Sequence, residues 1–225
     1  DGGLRYHTAG ALGRGEKIFL LAKLPGHLRV KQTEDVVDKY LLLSNSHNGS
    51  SALRVLFTPV RVVCQNTLSM ALRQGSGQGV SIRHNGDLTA KIRDAQRVLG
   101  LATKFYDDAQ AKIDRLASVS PTQAQLDTYF KVLYPDPLKD DDNGKARQTR
   151  ERLQELFGSG IGHDMPGIKD TWWTAYNAVT EMLDHRTYRG RTEAERATNR
   201  LQAIWWGTAA KIKEQAWEMA LQLAA

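Results

Sequence analysis

Cysteine is nearly absent: Cys64 is the only one in 225 residues. An intramolecular disulfide and a cysteine-rich zinc site are therefore excluded, and a reducing, cytoplasmic setting is expected. Long apolar runs are absent too. None approaches the roughly 20 residues of a membrane-spanning helix, and the first residues lack a secretory-leader pattern, so no membrane association is expected. No GxxxxGK[ST] phosphate loop occurs. Gly10, Gly13 and Gly15 cluster ahead of a strand, with no helix opening there to cradle a phosphate. His7, His27, His47, His84, His163 and His185 form no pair with another His or a carboxylate at helical metal-site spacing, and no carboxylate constellation stands out. The expectation is a protein without cofactor, metal or covalent chemistry.

What is present is an ordinary globular composition, 41% hydrophobic and 25% charged, with an uneven charge. Residues 1–100 carry 14 Lys/Arg against 7 Asp/Glu, a surplus of +7, while residues 101–225 carry 17 against 18. A localised basic excess favours a polyanion through counterion release and steering. A solvated basic surface is the plainer alternative.

The pattern along the chain predicts an α+β protein: a small antiparallel sheet packed on a helix, then a mainly helical C-terminal half. A basic sheet-and-helix core over 1–118 and a helical region over 119–225 are expected, within one continuous domain. Lys17 to Leu24 is an apolar run closed by the turn signal Pro25-Gly26. Val36–Leu43 and the alternating Leu53–Phe57, joined by a polar Asn/Ser/His/Gly connection, predict a hairpin. Thr58 as N-cap, Pro59 at the first turn and apolar residues from Val60 to Leu72 predict a helix stopped by Gly75, with a further strand at Val60–Val63 as the other reading. Ile92, Ala95, Leu99, Ala102, Tyr106, Ala109, Ile113 and Leu116 keep a heptad-like seam, which calls for a helical partner in this chain or a neighbour. Further helices are expected at about 122–133, 145–157, 168–186 and 193–224, the last opened by a Thr192/Glu195 capping box.

The residues proposed for binding are Lys17, Lys23, Arg29, Lys31, Asn45, His47, Arg54, Arg61, Arg73 and Arg83, which flank the apolar strands and the first helix. A basic sheet face, or a groove between sheet and helix, would track a phosphate backbone, with Asn45, Asn48, Gly49 and Ser50 adding hydrogen bonds. Several of these cations would equally well snorkel over the sheet. Arg54 and Arg61 flank the strand-to-helix junction and are expected to tolerate Ala without loss of fold. Cys64 falls on an apolar face and reads as a buried structural thiol. The five tryptophans suit core faces better than base stacking, and Arg186, Tyr188, Arg189 and Arg191 make a basic, aromatic loop.

The segments GEKIFLLAKLPG, YLLLSNSHNGSSALRVLFTPVRVVCQNTL, AYNAVTEMLDH and GRTEAERATNRLQAIWWGTAA resemble the bacterial phage/plasmid-like protein family, also catalogued as domain of unknown function nine-three-two. The resemblance covers nearly the whole chain. It implies a mobile-element habitat and additional N-terminal sequence. The order of strands, helix and basic junction without an ATP motif is also similar to single-strand annealing proteins, which hold single-stranded DNA in rings or filaments. These readings lead to an expected single-stranded DNA-binding, ATP-independent annealing protein of a phage or plasmid. It would act as a homo-oligomer, ring or filament, with a host single-strand-binding protein as a further partner. A regulatory or host-interaction protein is the alternative, and a metal-dependent nuclease the least favoured.

Overall fold

A computed structural model describes residues 5–12, 15, 17–46, 53–67, 80–82, 88–137 and 144–225. The apolar runs of the first third become strands: β1 Arg5–Leu12, β2 Lys17–Arg29, β3 Val36–Ser46, β4 Leu53–Phe57, β5 Val60–Arg61, β6 Asn66–Thr67 and β7 Val80–Ile82. They form one sheet in the order β1-β2-β3-β4-β7, every pair antiparallel, with β5 beside β3 and β6 beside β5. Among the described residues six α-helices follow: α1 Leu88–Leu116, α2 Gln123–Leu133, α3 Lys145–Ser159, α4 Trp172–His185, α5 Glu193–Trp205 and α6 Thr208–Leu223. The expected α+β class and the β3–β4 hairpin are both present.

Both faces of the sheet centre are covered, which explains why Leu41, Leu42 and Leu43 follow one another without a polar residue. Val37, Leu41, Val55 and Phe57 join the main core with Ala102, Phe105, Tyr106 and Ala109 of α1. Phe19, Leu21, Tyr40 and Leu42 on the opposite face meet Leu201 and Trp205 of α5, and Trp206 just beyond it. The Tyr106 hydroxyl donates to Tyr40 O (2.7 Å) and accepts from Tyr40 N (2.9 Å), pinning α1 to the middle of β3.

Three expectations are corrected. Pro25-Gly26 does not end a strand. β2 runs through it with a register shift between Lys23 and His27, and Gly26 takes φ +71°. A proline without an N–H and a left-handed glycine suit a bulge as well as a turn. The helix expected from Thr58 onward is likewise absent among residues 58–67. Thr58 N donates to Tyr40 O, Val62 N donates to Val36 O, and Val60 and Arg61 pair with Asp38 and Val37. The edge of β3 captures the donors a helix would have used, so β4 and β5 form one interrupted strand broken at Pro59. The continuation to Gly75 lies outside the described residues. Finally, the helix expected over 193–224 is two helices broken at Trp206-Gly207. A Cβ at Gly207 would lie 2.9 Å from Ala203 Cα, so the close turn requires glycine.

The helical half closes on itself. Trp172, Trp173 and Trp217 are buried in the same core as Tyr106, Ala109, Ile113 and Leu116, so this part of the α1 seam finds its partners within one chain. That core contains residues from β2 to α6 and thus crosses residue 118. The Thr192/Glu195 capping box is formed as expected, and α2 has a second one at Thr122/Gln125.

Candidate functional site

Three of the seven described binding candidates lie along one strand. Lys17, Lys23 and Arg29 occur at six-residue intervals on β2, a path of about 40 Å at strand rise. Lys17 Nζ sits 5.6 Å above the Trp206 ring. Lys23 is half-buried and ion-paired to Asp38 at 2.5 Å, and Arg5 lies directly opposite it in register. Arg29 reaches Glu34 (3.3 Å) and Thr33 O, and exposed Lys31 donates from Nζ to Ala117 O, so both belong to the far end of the sheet, against the end of α1. Asn45 is half-buried on β3 opposite Ile18, and Arg54 lies opposite Ser44 in the β3–β4 ladder. His47, Asn48, Gly49, Ser50, Arg73 and Arg83 lie outside the described residues.

Arg61 is not a surface cation. Its side chain is fully buried, Nε donates to both oxygens of Asp35 at 2.9 Å, and the two other nitrogens donate to Ile161 O (3.1 Å) and Gly162 O (2.9 Å). Trp173 Nε1 donates to the same Asp35 carboxylate at 2.7 Å. With its donors turned inward, Arg61 offers no charge to a ligand, and its removal is a stability problem.

A second buried pair holds the other end of the β5–β6 hairpin. Lys213 on α6 donates to Asp184 Oδ1, Thr67 O (3.0 Å) and Thr67 Oγ1 (2.7 Å), which uses all three ammonium protons. Thr67 N and Oγ1 donate to Asp184 Oδ2 at 2.6 and 2.9 Å. Burial pulls Lys213 below the usual lysine range, and the Asp184 carboxylate opposes this. His185 Nε2 lies 2.9 Å from both Cys64 O and Asn66 Oδ1. Trp173 and Asp184 lie about 16 Å apart along α4, at helical rise. The hairpin is thus fastened to α4 near both ends of that helix.

Cys64 lies in the β5–β6 turn, not on a helix, but is buried as expected. Burial raises its thiol above the ordinary range, with Arg61 opposing, which leaves it unreactive. Among the described residues no three His, Cys, Asp or Glu side chains converge as metal ligands would. The acids here are committed to Arg61, Lys213 and backbone donors, so the arrangement braces the fold and offers no free general base.

Sequence reading missed Asp35, His163, Glu181, Asp184 and Lys213 as a set. One signal was available: Lys213 falls within the buried stripe Ala209, Ala210, Ala216, Trp217 and Ala220, where a cation requires a partner.

His163 gives this seam a pH dependence. The ring is 1% exposed, Nε2 is 3.9 Å from Glu181 Oε2, and among the described residues neither nitrogen has a well-aligned partner, the Leu156 and Phe157 backbone giving only weaker contacts that favour the charged ring. Burial, then the Arg61 charge, lowers its pKa from 6.5 to about 4. The unfolded chain therefore binds a proton that the folded chain refuses between those values, so this contribution is intact above pH 6.5 and lost as pH falls toward 4. The loss amounts to about 3 kcal/mol at 1.36 kcal/mol per pH unit. Urea unfolding from pH 7 to pH 4 checks it: His163→Gln should lower stability at pH 7 yet flatten the slope. An unchanged slope would show that His163 is not the titrating group.

The chain belongs to the family described as Domain of unknown function (DUF932), which it matches over residues 1–205. It is similar to the UPF0380 protein YafZ of Escherichia coli (strain K12), at 28% identity over 179 residues, 71% of this chain and 58% of that protein. The chain thus spans a little over half the length of that relative. No solved structure matches it.

Proposed function

We propose that the protein binds single-stranded DNA without base specificity and promotes annealing of complementary strands without nucleotide hydrolysis, as part of recombination in a phage or plasmid. The observation that carries this reading is the +7 surplus of residues 1–100, against −1 for the rest, with Lys17, Lys23 and Arg29 spaced along β2. Phosphates held by such a line leave bases free to pair, so the complementary strand reads the sequence.

Oligomerisation belongs to this proposal but rests on a different surface from the helical seam. β1 ends the sheet and pairs, among the described residues, with β2 alone, and Tyr6 on it is 67% exposed. An eight-residue strand edge of this kind is a template for another chain. Light scattering should give a mass above 25.1 kDa that rises with concentration or on adding DNA; a mass fixed at 25.1 kDa under both conditions contradicts the oligomer.

A gel shift with single-stranded and double-stranded DNA, with and without magnesium, tests the function. Retarded single strands, intact with magnesium, and faster pairing of complementary strands without ATP are expected. Cleavage with magnesium would favour the nuclease. Absence of any shift would favour a protein-binding role.

A further inference from the structure

Arginines of the helical half fall into two groups. On α3, Arg147, Arg150 and Arg152 are each paired to an acid: Glu151 at 3.6 Å, Asp136 at 2.6 Å and Glu155 at 2.8 Å. Between α4 and α5, Arg186, Arg189 and Arg191 are exposed, and no acid among the described residues lies within ion-pairing distance of any of them. Free arginines set in a helical half of net charge −1 are a local exception to its balance.

Their loop is held firmly while their side chains are left free. Tyr188 Oη donates to Leu183 O at 2.7 Å, Asn199 Nδ2 donates to Arg189 O at 2.7 Å, and Arg191 N donates to Glu195 Oε2 at 2.6 Å. A Cβ at Gly190 would come within 2.7 Å of Arg196 N, so the loop is seated directly on the first turn of α5. The Arg186 guanidinium lies 4.7 Å from the centre of the Tyr188 ring, a preformed cation–aromatic stack. A rigid backbone carrying unpaired guanidinium groups loses little conformational freedom when it meets a phosphate.

The other end of α5 carries a second stack of this kind. Beyond Trp205, Trp206 lies under Lys17 of β2, and Trp205 packs edge-on against Phe19 with centroids 5.1 Å apart. Helix α5 therefore joins a basic aromatic corner on the sheet to a basic aromatic loop about 20 Å away, at 1.5 Å per residue.

We propose that single-stranded DNA is held at two points along α5, by phosphate contacts at the Arg186–Arg191 loop and by phosphate and base contacts at the Lys17–Trp206 corner. This rests on the DNA-binding reading above and adds to it a second contact contributed by the helical half. A stacked strand advancing about 3.4 Å per nucleotide needs about six nucleotides to touch both points.

Fluorescence anisotropy at low salt with labelled oligo-dT of 4 to 20 nucleotides tests it, comparing the wild-type chain with Arg189→Glu/Arg191→Glu. Neither side chain makes a hydrogen bond or ion pair among the described residues, so the thermal midpoint should be unchanged. An Arg189→Gln/Arg191→Gln chain supplies the measurement should charge reversal impair folding. Wild-type affinity should climb steeply once the oligonucleotide exceeds about six nucleotides. The reversed chain should bind the 20-mer at least ten-fold more weakly and lose that step. If the wild type binds but the loop variants match it in affinity and length dependence, the second contact is wrong while DNA binding stands. If the wild type binds no oligonucleotide, both readings fall together.

Discussion

Arg61→Ala is expected to lower the stability of the protein by about 3–5 kcal/mol, the usual effect of removing one partner of a buried ion pair. The substitution strands the Asp35 carboxylate, which among the described residues retains only Trp173 Nε1 as a side-chain donor, and frees the carbonyls of Ile161 and Gly162. At about 2–4 °C per kcal/mol for a chain of this size, the thermal midpoint should fall by about 10 °C. Arg61→Lys should not rescue it, because an ammonium cannot span both carboxylate oxygens and two separate carbonyls. Arg61→Met/Asp35→Leu should be less destabilised than either single replacement, since no buried charge is left alone. Chemical unfolding of the four chains measures the coupling, and strictly additive losses would show that the pair is not the brace described.

Asp184→Ala should have a comparable effect with a different pH signature. It leaves Lys213 buried with Thr67 as its remaining partner and removes the acceptor of Thr67 N. Burial then acts unopposed, moving the folded-state pKa of Lys213 further below its unfolded value of 10.5. Between those values the unfolded chain holds a proton that the folded chain has shed. Stability of Asp184→Ala should accordingly rise as pH increases from 7 toward 10, whereas Lys213→Met should show no such recovery. Urea unfolding at pH 7 and pH 9.5 separates the cases. Equal stability of Asp184→Ala at both pH values would mean that Lys213 stays charged or escapes to water.

These two braces account for most of what the sequence concealed. Strand periodicity marked β3 and β4, and the Thr192/Glu195 box marked the start of α5, because those signals are local. Thr58-Pro59 followed by Val60, Val63 and Cys64 also satisfies every local rule for a helix. The decision there is tertiary: β3 supplies backbone partners, while Asp35 and Asp184, placed 26 residues before Arg61 and 117 residues after Thr67, supply the charge and hydrogen bonds. Arg61 consequently looked like a surface cation. The same non-local covering of the sheet hid the break at Gly207, since Trp205 and Trp206 turn onto Phe19 and Lys17 there. Of the candidate binding residues, the regular spacing of Lys17, Lys23 and Arg29 was legible, but the Asp38 and Glu34 partners that partly offset two of them were not.

The proposed engagement of a nucleic-acid backbone by the basic side of the sheet is a salt-dependent equilibrium. Its most direct test is the affinity for a long, unstructured single-stranded oligonucleotide measured across a salt series. Log affinity should fall linearly with log salt, with a slope of about −0.7 for each phosphate neutralised. Lys17→Ala/Lys23→Ala should shallow that slope by about one such contact or more, with a modest fall in thermal midpoint because half-buried Asp38 loses its ion pair. Binding that is insensitive to salt, or no binding at the lowest salt, would contradict it.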